Sequence, residues 1–481
     1  MISFLSKYKY WIFIGSIFLL LRIPSLFEPY WYGDEGIYLT LGQAIRKGLL
    51  LYSQIHDNKT PTLYYLAALG QTVFGFRLIL SLLMIPTIYF FYRLSLVFLT
   101  SKIAKFSTFI FLIFTSIPAF EGNIANAEIF MLLPTILGFL FFLESKKNIH
   151  YFLSGIFLGL AFTIKIPVFI EVLFLIIWLF LSNLSKLKKN FWSLFFKTFI
   201  LGIGFLIPIL IYLIYFSYMG VFWPFLKSAL LQNFSYLSSW VTGTQTASAG
   251  SGGLVNRFFF LIIFWTIIFI LNLKKILSLK LSFLLFWLGA TLFGVLLSSR
   301  PYPHYLIQSI PPVCILFPFL FFFKRKTWQS IILSSFFLFV LVIYKYQFYF
   351  YSTTKYYSNF YSLKTKFSYY QFFGNSIDIN YQIADFIKKN TQETDRIFIW
   401  GDEPYIYALS DRLPSGRYTV AYHIIDFNGY QETLDAFKVY SPKFIIYYPM
   451  SNRPFSDLDK FLENYYFLDQ TFGSVLIFQK R

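Results

Sequence analysis

Apolar residues in this chain come in long blocks, not in an alternating or heptad pattern. Eleven blocks predict membrane-crossing helices: 10–27, 77–99, 103–120, 128–144, 151–165, 167–182, 194–217, 257–273, 281–298, 305–323 and 328–344. A shorter run, 61–74, cannot cross a hydrocarbon core of ~30 Å and predicts an interfacial or re-entrant helix. The stretch "WVTGTQTASAGSGG", within 218–256, lacks apolar periodicity and predicts a flexible loop. From about 345 the pattern changes. "RIFIW" (396–400), "KFIIYY" (443–448) and "SVLIF" (474–478) predict buried strands, and "YQIADFIKKN" (381–390) has helical spacing. The expected architecture is a polytopic α-helical membrane protein with about 11 transmembrane helices over 1–344. A small extracytoplasmic α/β domain follows over 345–481.

Composition agrees with the pattern: 57% of the 481 residues are hydrophobic and 13% are charged, about half the charged share of a soluble domain. The net charge of +19 sits almost wholly in residues 1–344, which carry +18, against +1 in 345–481. Basic excess in a membrane segment marks cytoplasmic loops and does not imply nucleic acid. Clusters at Lys7/Lys9, Arg93/Lys102/Lys105, Lys146/Lys147, Lys186/Lys188/Lys189, Lys274/Lys275/Lys280 and Lys324/Arg325/Lys326 set a topology in which the chain leaves and re-enters the cytoplasm between neighbours. The first run follows Lys7 and Lys9 without a small-residue cleavage site, which predicts an uncleaved first transmembrane helix. The single cysteine, Cys314, permits no intramolecular disulfide, so cysteine usage says nothing about redox compartment.

That topology puts Asp34, Glu35, Lys59, Glu121, Glu128, Arg300 and His304 on one non-cytoplasmic side. All but Glu121, which is expected to face water, are candidates for a shared cavity. Acids at a membrane edge are costly and commonly functional. In "GDEGIYLTLGQAIRKG" the pair Asp34 and Glu35 starts a segment whose Ile37, Leu41, Ala44 and Ile45 predict an amphipathic interfacial helix, with Gly33 turning the backbone. The plainer alternative makes Asp34 a cap and Glu35 a partner of the helix dipole. Lys59, in "HDNKTPTLYYL", either binds a lipid phosphate or snorkels toward head groups, and His56 and Asp57 read as loop residues. Glu128 opens a span with Asn126 placed to cap it, and its carboxylate needs a partner at that depth. Arg300 and His304 precede a span, separated by Pro301 and Pro303, and form either an anion site or an ordinary basic loop.

The order of apolar span, "DE" loop, Lys59 before Pro61, later acid and "RPYPHY" (300–305) resembles the GT-C integral-membrane glycosyltransferases. The similarity is greatest to the branch related to protein O-mannosyltransferases and lipid A aminoarabinose transferases, and it covers about 10–345. It implies a donor sugar carried on a polyprenyl phosphate, Asp34 as the catalytic carboxylate and Lys59 as a contact to the donor phosphate. Lys165, in "FTIKIP" (162–167), resembles a further basic position of such enzymes. Relatives commonly have two prolines after the lysine, whereas this chain reads Lys59-Thr60-Pro61-Thr62.

The chemistry expected from these residues is direct displacement of a polyprenyl phosphate, with inversion at the anomeric carbon. Lys59, Arg300, His304 and Lys165 would stabilise the departing phosphate, and Asp34, supported by Glu35, would accept the acceptor's proton. Glu128 would orient the acceptor or, with Asp34, hold a divalent cation such as Mg2+ or Mn2+, although two acids alone do not define a metal site. The expected enzyme is thus a hexosyl- or pentosyltransferase of cell-envelope glycosylation, multi-pass in a bacterial inner membrane with its site outside the cytoplasm. Its acceptor is a lipid, glycan or protein. A transporter or flippase of lipid-linked sugars would use the same cations but calls for paired repeats and midplane charges, neither of which the sequence has. A scaffold would leave Asp34 without a role. A second "GDE", at 401–403, reads as a polar turn after a strand.

Overall fold

The computed structural model describes residues 2–233, 252–298, 300, 302–320, 347–362, 365–449 and 453–481. Among the described residues, four helices are long and apolar enough to cross a membrane: Tyr8–Leu26, Val73–Phe98, Leu184–Tyr218 and Gly253–Leu273. Four shorter apolar helices accompany them: Ala127–Leu143, Asn148–Phe162, Val168–Leu181 and Leu279–Val295. The eleven apolar runs therefore do not each become one long helix. Run 103–120 is helical over Ser101–Phe114 and then, at Pro118, tightens to a 3-10 turn. Run 305–323 begins as a 3-10 segment, Pro303–Ser309, followed by a short helix, Ile310–Leu316, in a stretch crowded with prolines. The predicted span 328–344, the cluster Lys324/Arg325/Lys326 and most of the Gly/Ser stretch lie outside the described residues. Before that stretch, where a loop was expected, Phe222–Leu231 is helical.

Two compact units divide the chain. The helical unit takes in Met1–Ile23, Leu80–Ile214 and Asn233–Lys355. Its helices approach closely where side chains are small. A Cβ on Gly155 would stand 2.1 Å from the Leu201 carbonyl oxygen, so Asn148–Phe162 and Leu187–Tyr218 meet backbone to backbone there.

The second unit joins Pro24–Ile79, Tyr215–Gln232 and Tyr356–Arg481. Its sheet has five strands, β1 (Arg396–Trp400), β2 (Leu413–Pro414), β3 (Phe444–Tyr447), β4 (Tyr466–Phe472) and β5 (Val475–Lys480), in the order β2-β1-β3-β5-β4. β1 pairs parallel with β2 and β3, while β5 pairs antiparallel with β3 and β4. Successive side chains of a strand face opposite ways. Accordingly Ile397, Ile399, Phe444 and Ile446 pack with Ile383, Ile387 and Ile406, while Phe398, Trp400 and Ile445 pack with Ile424, Phe437 and Leu458. Both faces of the central strands are covered, which is why "RIFIW" and "FIIY" are apolar throughout.

Helix α1 (Ile2–Leu26) leads into α2 (Gly33–Arg46), α3 (Thr62–Gly70) and α4 (Val73–Phe98). Helix α2 departs from the predicted amphipathic interfacial helix, because residues 35 to 44 are buried on every side. On one side Gly42 packs so tightly that a Cβ would lie 2.6 Å from Ala68 N. On another, the Thr40 hydroxyl donates to the Pro404 carbonyl at 2.9 Å, and Gln43 reaches Asp411 at 3.0 Å.

Candidate active site

In the sheet-bearing unit, Asp34 and Lys59 come together. Asp34 sits in the first turn of α2, where the unpaired amides of a helix start favour a negative charge. It is not the cap: that position is Tyr32, which makes no side-chain capping bond, and Gly33 is an ordinary helical residue with no neighbour crowding a Cβ. Asp34 Oδ2 accepts from the Tyr38 hydroxyl one helical turn later at 3.1 Å and stands 3.5 Å from Lys59 Nζ. The ammonium also lies 5.0 Å from the centroid of the Tyr38 ring, a cation–π distance. The two side chains remain 30% and 24% exposed, open enough for a ligand to reach both, whereas Asp57 behind them is only 1% exposed.

The turn carrying Lys59 is fixed by tyrosines. Tyr52 OH donates to the Lys59 carbonyl at 2.7 Å, and Tyr64 OH accepts from the Lys59 amide at 3.1 Å while donating to Asp57 Oδ2 at 2.8 Å. Burial, with the neighbouring Asp57 carboxylate, pushes the Tyr64 phenol well above its ordinary range. Asp57 Oδ2 is 3.8 Å from Lys59 Nζ, and Asp57 Oδ1 is 3.6 Å from His423 Nε2. His56 and Asp57 lie in a loop, as read from the sequence, but a buried one that joins this cluster; His56 Nδ1 lies 3.3 Å from Ser228 Oγ. Burial depresses both imidazoles below their ordinary value, His56 further because His423, Arg417 and Lys227 add positive charge around it.

Glu35 faces away from this cluster. Arg77, wholly buried in α4, donates to both Glu35 oxygens at 2.8 and 2.5 Å, lies 2.7 Å from Glu28 and donates to the Ser25 carbonyl at 2.8 Å. Glu28 accepts in turn from Trp31 and Tyr356. The sequence reading missed Arg77 and Glu28. An arginine inside the apolar run "VFGFRLILSLL" was the available signal, since a charge there must find a partner.

In the helical unit, Glu128 finds the partner its depth demands. Lys165 Nζ pairs with Glu128 Oε1 and stands 4.7 Å from the centroid of the Tyr305 ring. His304 Nε2 lies 3.8 Å from the same carboxylate, and His304 Nδ1 contacts Glu121. Glu121, expected to face water, thus joins this cluster, its backbone in the left-handed region (φ 54°) at the end of the Pro118–Phe120 turn. Asn126 occupies the cap position before Glu128 without a side-chain capping bond. Arg300 is half-buried, and its amide donates to Ser298 Oγ at 3.4 Å. The candidate residues thus form separate groups: Asp34 with Lys59, Glu35 with Arg77, and Glu128 with Lys165 and His304. Among the described residues no group of three or more His, Cys, Asp or Glu side chains is arranged to hold a metal ion.

The second "GDE" is a turn after β1, as read from the sequence. Asp402 accepts from the Tyr422 amide and pairs with Arg453, while burial and the adjacent Asp402 push Glu403 up to about 7.

No family model and no curated protein matches the chain. Among solved structures it overlays ArnT from Cupriavidus metallidurans in the apo state with a TM-score of 0.60 at 13% identity, covering 98% of both chains. The same ArnT bound to undecaprenyl phosphate gives a TM-score of 0.57 at 11% identity, again over 98% of each. A weaker likeness, TM-score 0.48 at 14% identity, covers this whole chain and 75% of an Archaeoglobus fulgidus oligosaccharyltransferase tethered to an acceptor peptide. The fold is that of the GT-C integral-membrane glycosyltransferases, with a small sheet domain at its C-terminal end. ArnT from Cupriavidus metallidurans is one solved structure that shares this fold over nearly the whole of both chains.

Proposed function

We propose that this protein transfers a sugar from a polyprenyl-phosphate donor, with Asp34 as the general base and Lys59 as the cation that receives the departing phosphate. The observation that carries the reading is the half-exposed Asp34–Lys59 pair, 3.5 Å apart, at the start of α2. It is supported by a fold shared with ArnT, a protein solved with undecaprenyl phosphate bound. A phosphate leaving group needs little general-acid help. Its negative charge must be met by a cation held in place beforehand, which Lys59 supplies without reorganisation at the moment of reaction. The acceptor hydroxyl must lose a proton as it attacks, and Asp34 is a partly exposed carboxylate beside that cation. Displacement assisted by one carboxylate inverts the anomeric carbon. Glu35, occupied by Arg77, takes no proton in this scheme and fixes the start of α2. The active side faces away from the cytoplasm of a bacterial inner membrane.

The test is sugar transfer by purified protein in lipid vesicles, from a panel of polyprenyl-phosphate hexoses and pentoses to lipid, glycan and peptide acceptors. Release of polyprenyl phosphate coupled to a glycosylated product is the expected result. Passage of the intact lipid-linked sugar across the vesicle membrane without any transfer would overturn it in favour of a flippase.

A further inference from the structure

The C-terminal segment ties down the turn that carries Lys59 at two points. The His56 amide donates to the Arg417 carbonyl at 2.9 Å, and the His423 ring, from the helix Ala421–Asp426, presents Nε2 to Asp57 Oδ1 at 3.6 Å. That ring is only 3% exposed and is walled in by Tyr422, Phe427 and His56, with ring centroids 4.5, 5.7 and 5.8 Å away. The charged groups acting on it are Asp57, Lys59, Asp34 and Asp402. Among the described residues His423 Nδ1 has no hydrogen-bond partner, so the tautomer that suits the surroundings carries its proton on Nε2, toward Asp57.

The other contacts of Asp57 then gain a purpose. Its Oδ1 accepts from the Asn58 amide at 2.7 Å and its Oδ2 from Tyr64 OH, both neutral donors. A neutral imidazole faces that carboxylate at 3.6 Å, just beyond hydrogen-bond length, without cancelling its negative charge, which lies 3.8 Å from Lys59 Nζ. A permanent cation in its place would compete with Lys59 for the same carboxylate.

We propose that His423 is a positioning residue for Lys59: its Nε2–H orients Asp57, and Asp57 holds the ammonium beside Asp34. The C-terminal segment thereby belongs to the donor-binding apparatus. The inference rests on the reading that Lys59 receives the donor phosphate.

The experiment is a set of binding measurements with undecaprenyl phosphate in detergent micelles, comparing His423→Gln with His423→Asn, each alone and combined with Lys59→Ala. A glutamine amide places its nitrogen near the position of Nε2, whereas an asparagine amide places it near Nδ1. The expected result is near-normal binding in His423→Gln and a loss of about fivefold or more in His423→Asn. That loss should vanish once Lys59 is alanine, because residues acting through one partner are not additive. Asp57→Asn approaches the same link from the other end while leaving His423 in place. It should show the same loss and the same dependence on Lys59, and it serves if a histidine variant fails to fold. Equal binding by the glutamine and asparagine variants, or losses that add in full to that of Lys59→Ala, would overturn the positioning role. Unchanged binding in Lys59→Ala alone would instead remove the phosphate reading on which it stands.

Discussion

Arg77 grips the Glu35 carboxylate with two of its nitrogens, at 2.8 and 2.5 Å, in a place where neither side chain meets solvent. This contact separates two acids that are adjacent in sequence. Glu35 is committed inward to α4, and Asp34, one residue earlier, is left half-exposed beside Lys59. The start of α2 is therefore fixed by one acid so that the other is presented.

Removing Arg77 should be among the most damaging single changes in the sheet-bearing unit. Arg77→Ala strips the partner from two buried carboxylates, Glu28 and Glu35, and breaking one buried ion pair typically costs about 3–5 kcal/mol. The expected outcome is a large fall in Tm, or loss of folded protein, in detergent. Glu35→Gln retains a hydrogen-bond acceptor for Arg77 and should be milder. A Tm for Arg77→Ala within a degree or two of wild type would mean the triad does not hold α2.

Asp34→Asn distinguishes catalysis from structure. Asp34 is not the N-cap residue, and an amide oxygen can still accept from Tyr38, so folding should change by less than about 1 kcal/mol. An amide does not accept a proton at neutral pH, and general-base catalysis commonly contributes roughly 10²–10⁴-fold. Turnover should therefore fall at least about 100-fold while undecaprenyl phosphate is still bound. Sugar transfer at a near wild-type rate would remove Asp34 from the chemistry.

Glu403 gives a prediction with a definite sign. Burial raises its carboxyl to about 7, so the folded state holds a proton there that the unfolded chain releases at its ordinary, lower value. Between those two values the folded state binds more protons, and stability falls as pH rises through the window. Glu403→Gln abolishes the titration. Its Tm should match wild type near pH 4.5 and exceed it increasingly up to about pH 7, by an amount equivalent to about 1–3 kcal/mol. A constant offset at all pH values would show that Glu403 is not held protonated.

The sequence made some of this legible and hid the rest for physical reasons. "RIFIW" and "FIIY" are apolar at every position because both faces of the central strands are covered, so they were readable as buried strands. β4 was not, because most of its residues are exposed, nor was β2, only two residues long with a proline. Asp34 and Lys59 were recognisable from their order along the chain, but no periodicity announces that they meet. The meeting depends on Tyr38, Tyr52 and Tyr64, which look like ordinary aromatics among 37 tyrosines. His423 and Arg417 come from about 360 residues further on, a distance at which spacing carries no information.

The two buried imidazoles make the sheet-bearing unit sensitive to mild acid. His56 and His423 both have folded-state pKa values below the ordinary 6.5, chiefly because burial disfavours the imidazolium; at His423 the pull of Asp57 opposes this without reversing it. Above pH 6.5 both are neutral in folded and unfolded chains alike and add no pH dependence. Below 6.5 the unfolded chain takes up protons that the folded state refuses, so stability falls with falling pH until the folded-state values are reached. Each histidine can contribute at most about 1.4 kcal/mol per pH unit within that window. Because Glu403 titrates in the same window with the opposite sign, the test belongs in a Glu403→Gln background, where thermal unfolding in detergent should show a flat Tm from pH 8 to 7 and a decline between about 6.5 and 5. Adding His56→Gln and His423→Gln to that background should keep a flatter Tm over the same interval. Parallel Tm curves with and without the histidine changes between pH 6.5 and 5 would show that these rings take up protons in the folded state as readily as in the unfolded one.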